Sequence, residues 1–389
     1  MDNKKKFSLD TFVASAGFKA FRAACLAIVL GLVFGFVVML VASPTSAPAG
    51  ILTVITGGFR KLADVFYFSI PIMMCGLSVG FAFKMGLFNI GASGQYTMGM
   101  FFALLVSFYL PLPAALDSVR WVFAILAGAV GGFMWGFIPG IFKSLLNVNE
   151  VITSIMFNYI GMYLVDMCIL GSSVMYEADK TRTRYIPETA KLPSLGIKNS
   201  NLNIAIFFAV AIAIILYIVL NKTTFGYELR ATGFNKNAAQ YAGMNSKRNI
   251  ILTMSIAGAL SGLGGAFAIL APSTIAGSSM TYEPISIIAA NGFNGIAVAL
   301  LGASSPIGII FSAFFISHIQ RGGTLLAGLY GYKPEIIDMV IAIIIYFSAF
   351  SMMMSTYASK LFAKMKEKKA EKKSALALTK AEKNTEGGE

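Results

Sequence analysis

Residues Ala23 to Ala42 run for twenty positions without a charge or a proline. At about 1.5 Å per residue, a helix of that length crosses the roughly 30 Å hydrocarbon layer of a bilayer. This run constrains the fold tightly, because a segment in lipid must satisfy its own backbone N–H and C=O groups. Comparable runs recur to the end of the 389 residues, and only 13% of the chain is charged against 57% hydrophobic. Soluble domains carry about a quarter of charged residues. The expected fold is therefore all-α, a polytopic transmembrane helical bundle. Three scattered cysteines indicate neither a disulfide framework nor a metal site.

Ten spans are expected, at about Ala23–Ala42, Val65–Phe83, Phe88–Tyr109, Trp121–Phe142, Val151–Leu170, Leu202–Leu220, Ile250–Ala271, Pro284–Gly302, Ile307–Ile319 and Ile336–Tyr357. The ninth is too short to cross comfortably, so broken or re-entrant helices belong to the expectation. The basic start "MDNKKK" and the small residues Ser46 to Gly50 resemble a signal peptide, but the apolar core is longer than a typical h-region, so a retained first span is expected. Lys84, Lys143, Lys222, Arg230, Lys236, Lys247 and Arg248 fall on one side with both termini. The positive-inside rule makes that side cytoplasmic. The loop Gly171–Asn201, with Lys180, Arg182, Arg184, Lys191 and Lys198, is the exception, and long loops weigh less in that rule. The organisation is then a cytoplasmic leader 1–22, a membrane domain 23–357 with a cytoplasmic loop 222–249, and a charged cytoplasmic tail 358–389. From Lys360 the tail carries nine lysines against five glutamates, which reads first as a solvated extension. The formal charge of +13 flanks membrane spans and implies no nucleic-acid role.

Gly128, Gly132, Gly136 and Gly140 share one helix face, and Gly258 with Gly262 repeats the spacing. Such faces let helix backbones approach closely in lipid. The passage "GLFNIGASGQYTMG", Gly86 to Gly99, is different, because it adds the polar side chains Asn89, Ser93 and Gln95 to its glycines. A break there frees backbone groups that are tolerated only when buried in protein or lining a water-filled passage. The alternative is a polar interfacial loop leading into an ordinary helix. In "NVNEVITSIMFNYIGMYLVD", Asn149 and Glu150 make a cap-like start, and Asn158 lies two turns on, inside the apolar run. An amide there either bonds across helices or faces a solute.

The loop Asn221–Asn249 is longer than a connection needs. It carries Gly226, Gly233 and Gly243 with Glu228, Arg230 and Lys236, which suits a docking surface as well as a solvated linker. Chemistry is sparse, with one histidine, His318, and no G-x-x-x-x-G-K-[ST] phosphate loop. Asp166 and Asp338 occupy span ends and Glu283 precedes Pro284, with no paired carboxylates for a proton relay.

Four passages in order, "GLFNIGASGQYTMG", "NVNEVITSIMFNYI", "FGYELRATGFNKNAAQYAGM" and "NGFNGIAVALLGASSPIGI", make the chain from Phe66 to Phe350 resemble the ABC-transporter permeases for branched-chain amino acids, ribose-type sugars and nucleosides. It looks most like the nucleoside branch. The resemblance implies a transport subunit rather than an enzyme, binding no cofactor itself, with ATP used by a partner subunit. It implies as partners two cytoplasmic ATPases, a second permease subunit, commonly a different one, and an extracellular substrate-binding lipoprotein, with nucleoside import across the cell membrane. It makes Gly226–Met244 the coupling region, with Arg230, Gly233, Asn235, Ala238, Ala239 and Gly243 matching its pattern. It makes Asn89, Ser93, Gln95 and Asn158 candidates for the substrate path or its gating. Asn294 stands where an acidic residue is common in the family, which puts a salt bridge there in doubt.

The absence of an evident buried ionic pair slightly disfavours an amino-acid solute, while a ribose-like sugar meets the same conditions as a nucleoside. An ion-coupled secondary transporter would want a coupling-ion site that the sequence does not display. A structural membrane protein without a solute path is disfavoured by the polar glycine-rich breaks, and a membrane enzyme lacks a nucleophile, metal set or general-base pair.

Overall fold

The computed structural model describes residues 16–347 apart from 276, 334 and 345. The leader's first fifteen residues, the tail 358–389 and the end of the tenth expected span lie outside the described residues. The helices are α1 (Ala16–Ala42), α2 (Ala47–Gly57), α3 (Leu62–Phe83), α4 (Ala92–Tyr109), α5 (Ala114–Asp117), α6 (Arg120–Leu146), α7 (Glu150–Leu170), α8 (Ala205–Lys222), α9 (Thr224–Phe234), α10 (Lys236–Tyr241), α11 (Ser246–Ile269), α12 (Ala290–Leu301) and α13 (Pro306–Tyr330). Residues 335–344 are also helical. Among the described residues the strands are β1 (Tyr176–Glu177) and β2 (Arg182–Thr183), paired antiparallel in the loop after α7. Among the described residues six helical stretches are long and apolar enough to cross a membrane, with α2 and α3 joined into one. This is an all-α polytopic membrane bundle.

The described residues divide into two compact units, 35–341 and 16–34 with 342–347. In the second unit Gly31 lies so near Ile344 that a Cβ would sit 2.8 Å from the Ile344 Cα, and the rings of Phe34 and Phe347 are 5.1 Å apart. In the first, α3 is buried along nearly its whole length and α11 along most of its own. The expected glycine faces meet there. A Cβ on Gly258 of α11 would lie 2.9 Å from the Gly136 Cα of α6, and one on Gly262 would lie 2.8 Å from the Gly132 Cα. Backbones at that separation gain dispersion contacts that lipid cannot match.

One expected connection and two expected spans come out differently. Helix α2 occupies residues left as a connection, because Pro48 sits in its first turn, where the missing N–H costs nothing. The eighth span shrinks to the 12-residue α12, and 284–289 is not helical. The ninth grows to the 25-residue α13, which continues through Arg321. It can do so because Arg321 bonds Asp64 at 3.2 Å and lies over the Phe68 ring at 4.1 Å, while a Cβ on Gly322 would meet the Val54 backbone.

Candidate functional site

Helix α3 ends in a Schellman motif. The Gly86 N–H donates to the Phe83 carbonyl at 2.9 Å and the Leu87 N–H to the Ala82 carbonyl at 3.1 Å, with Gly86 at φ +74°. A glycine takes that left-handed conformation without steric cost. The chain then turns back along α3 in non-helical form, and α4 starts only at Ala92. Asn89 donates to the Ser78 Oγ at 3.0 Å, and the Ser261 hydroxyl, 3.5 Å from the Cys75 Sγ, donates to the Ala92 carbonyl at 2.6 Å. The first turn of α4 therefore lies beside residues 75–78, roughly 8 to 12 Å in from the Phe83 end of α3. The passage is a buried break between two helices.

Three of the polar side chains singled out from the sequence hold that break together. Asn89 and Gln95 form a reciprocal amide pair, with Nδ2 to Oε1 at 2.8 Å and Nε2 to Oδ1 at 3.1 Å. Asn158 of α7 reaches across, accepting from the Gly94 N–H at 2.7 Å and donating to the Ile90 carbonyl at 3.0 Å. It thus satisfies one of the amide donors that a helix start leaves free. Ser93 behaves differently. Its hydroxyl is fully buried, has no hydrogen-bond partner among the described residues, and faces α12, where a Cβ on Gly292 would lie 2.5 Å from the Ser93 Cα. Ser154 of α7 is also fully buried and unpartnered among the described residues. Two helix starts, those of α4 and α12, meet at this point, and Asn291 donates to the Tyr96 hydroxyl beside them at 2.9 Å.

The expected cap of α7 forms, with the Asn149 side chain accepting from the Val151 N–H at 2.9 Å. Glu150 pairs with Lys143 at 2.8 Å. The long loop folds into α9 and α10, capped by the Thr223 and Asn235 side chains. Arg230, Asn235, Ala238 and Ala239 line a shallow hollow on its surface, beside Phe234, which is 95% exposed. Gly243 follows α10 at φ +82°. Gly233 lies against the turn after α3, where a Cβ would be 2.6 Å from the Met85 carbonyl oxygen. The loop and the helix break are thus in direct backbone contact. Burial and then the nearby Arg230 charge hold the Lys84 ammonium at that junction below the usual lysine range.

Asp166 was legible only as an acid near a span end. In the fold its carboxylate is buried and accepts from the Tyr282 hydroxyl at 2.7 Å and the Ser286 N–H at 2.9 Å. Tyr282 also exchanges bonds with Thr183, its N–H donating to Thr183 Oγ1 at 3.0 Å and its carbonyl accepting from the Thr183 N–H at 2.8 Å. Burial and then the Asp166 carboxylate push the Tyr282 hydroxyl above the usual tyrosine range. One carboxylate therefore ties the segment leading into α12 to α7. The signal available in the sequence was a lone acid within an apolar span.

The chain matches the family model described as branched-chain amino acid transport system, permease component, over residues 61–349. It is 36% identical to the guanosine ABC transporter permease protein NupP of Bacillus subtilis over 352 residues, 89% of this chain and 96% of the relative. It is 35% identical to the nucleoside ABC transporter permease protein NupB of Lactococcus lactis over 83% of this chain and 89% of the relative. It is 29% identical to the glucose ABC transporter permease protein TsgB13 of Haloferax volcanii over 74% of this chain and 75% of the relative. No solved structure matches.

Proposed function

Because this chain belongs to the family of branched-chain amino acid transport system permease components, we propose that it is the permease subunit of an ABC importer that carries nucleosides across the cell membrane. Both termini are cytoplasmic in this reading. ATP is hydrolysed by separate ATPase subunits, a second permease completes the membrane pair, and an extracellular lipoprotein delivers the solute. The observation that carries the mechanism is the contact between Gly233 of α9 and the Met85 backbone. An ATPase seated on the hollow around Arg230 would push on the turn that leads into the buried break. Movement there would be felt by the Asn89–Gln95 pair and by Asn158, which together hold the start of α4. We assign these amides and Ser93 to the gate of the solute path, and α9–α10 to coupling.

Nucleoside transport is supported by the resemblance to NupP and NupB over most of the chain. The likeness to TsgB13 favours a neutral sugar as the second reading. The test is uptake of guanosine, ribose, glucose and leucine into proteoliposomes holding the complete transporter. Guanosine uptake dependent on ATP is expected, and uptake of a sugar or leucine alone would overturn the nucleoside assignment. Arg230→Glu should cut uptake per inserted molecule at least about tenfold at normal abundance, since a like-charge juxtaposition at a complementary interface costs several kcal/mol. Unchanged specific uptake would remove Arg230 from the coupling surface.

A further inference from the structure

Helix α7 has two faces of opposite character. One carries Asn158 and packs toward the break. The other presents Ile152, Met156, Tyr159, Tyr163, Met167 and Leu170, each between 47% and 67% exposed, in a single stripe. The hydroxyls of Tyr159 and Tyr163 have no hydrogen-bond partner among the described residues. Tyr159 stands nine residues after Glu150 and eleven before Leu170, so its Cα lies roughly 14 Å from one end of the span and 16 Å from the other. Half the hydrocarbon thickness is about 15 Å. A tyrosine belongs at the membrane interface, where its hydroxyl meets water, and an unpaired hydroxyl at mid-depth in lipid is unfavourable.

Helix α8 shows what a lipid-facing surface looks like in the same chain. Its exposed Phe207, Ile214, Ile215 and Ile218 carry no polar side-chain atoms. Its exposed tyrosine, Tyr217, sits near the Lys222 end. Tyr109, at the last position of α4, bonds the Ser172 hydroxyl at 2.6 Å. Tyr159 departs from this pattern in depth, at the middle of its span, and Tyr163 shares its stripe one turn along.

We propose that Tyr159 and Tyr163 line a water-filled solute route and that their rings take the heteroaromatic base of the solute as it passes. This rests on the nucleoside reading for the identity of the solute. Aromatic rings bind bases through stacking that tolerates differences between bases, and the two hydroxyls can bond the ring edges. Met156 and Met167 on either side add a soft, polarizable wall. The same helix holds the gate through Asn158, so solute contact and gating are joined in one rigid element.

The test uses the complete transporter in proteoliposomes. Tyr163→Leu and Tyr159→Leu should each lower the maximal rate of guanosine uptake about fivefold, leaving half-saturation, set by the delivering protein, unchanged. Tyr163→Phe should stay within about twofold, because it keeps the ring, and Tyr217→Leu should match the wild type. Loss of complex assembly in the leucine variants, or rates equal to Tyr217→Leu, would overturn the proposal. A second measurement is independent of the solute. In a background with Cys25→Ala and Cys168→Ala, Tyr163→Cys should react with a charged, water-soluble thiosulfonate, and Tyr217→Cys and Ile214→Cys should react at least tenfold more slowly. An unreactive Tyr163→Cys would overturn the route whatever the transporter carries. A reactive one in a wild type that takes up sugar alone would keep the water-filled route and overturn the assignment of the base.

Discussion

The α6–α11 seam and the start of α4 both bring backbones together through glycines, yet they are built for different ends. In the seam, Gly132 and Gly136 face Gly258 and Gly262, and the contact is backbone against backbone. At the start of α4, Gly94 and Gly292 bring backbones close beside amides and hydroxyls, some paired and some not. A seam of glycine alone has dispersion to gain from staying shut. A junction that retains buried, unpaired hydroxyls has hydrogen-bonding capacity to gain from opening to a polar solute. The seam is thus glycine against glycine, while the start of α4 is where the proposed gate would exchange hydrogen-bond partners.

The largest effect should come from Gly258→Leu, because the new side chain has nowhere to go but into the Gly132 and Gly136 backbone. Folded protein recovered in detergent should fall at least about tenfold. Near-normal recovery would show that the seam can part, and would erase the contrast between the two sites.

Asn158→Leu should come next. It strands the Gly94 N–H and the Ile90 carbonyl, at about 1–3 kcal/mol for each group left unpaired. The thermal midpoint in detergent should drop by about 5 °C and uptake should fall with it. A stable protein with altered preference between guanosine and ribose would instead make Asn158 a solute contact and not a brace.

Gly86→Ala places a side chain at φ +74°, costing about 1–2 kcal/mol in the turn between α3 and the break. A midpoint lowered by about 3 °C is expected, with ATP-driven uptake reduced further than stability explains. Equal losses in both would mean that the turn closes α3 and transmits nothing from α9.

Ser93→Ala should have the smallest effect on stability, within about 0.5 kcal/mol, since its hydroxyl has no partner among the described residues to lose. Maximal guanosine uptake should still fall two- to threefold if the hydroxyl meets the solute. Unchanged uptake would make Ser93 a packing residue against α12 and nothing more.

Much of this was legible in the residues. Spans declared themselves by apolar length, and Asn149 by its position before an apolar run. The glycine faces were visible as four-residue spacing. The break at Gly86 was visible as glycine with amides, but not its depth, since nothing local says that the chain doubles back beside Ser78. The ninth expected span ends at Ile319, before the polar Gln320 and Arg321, whereas the fold supplies Asp64 and Phe68 to carry α13 past them.

By itself the sequence determined that this chain is a bundle of membrane helices, because apolar runs of about twenty residues are too long for barrel strands and in lipid must close their own backbone hydrogen bonds. It also determined where polar groups enter that bundle. Only the tertiary structure decided what those groups do. Asn158 braces the start of α4 and Asp166 holds Tyr282 and Ser286 through contacts across more than sixty residues of sequence, while Ser93 has no partner for its hydroxyl among the described residues. A hydrogen bond needs a partner within about 3 Å, and in a helical bundle the partner comes from whichever helix the packing brings alongside.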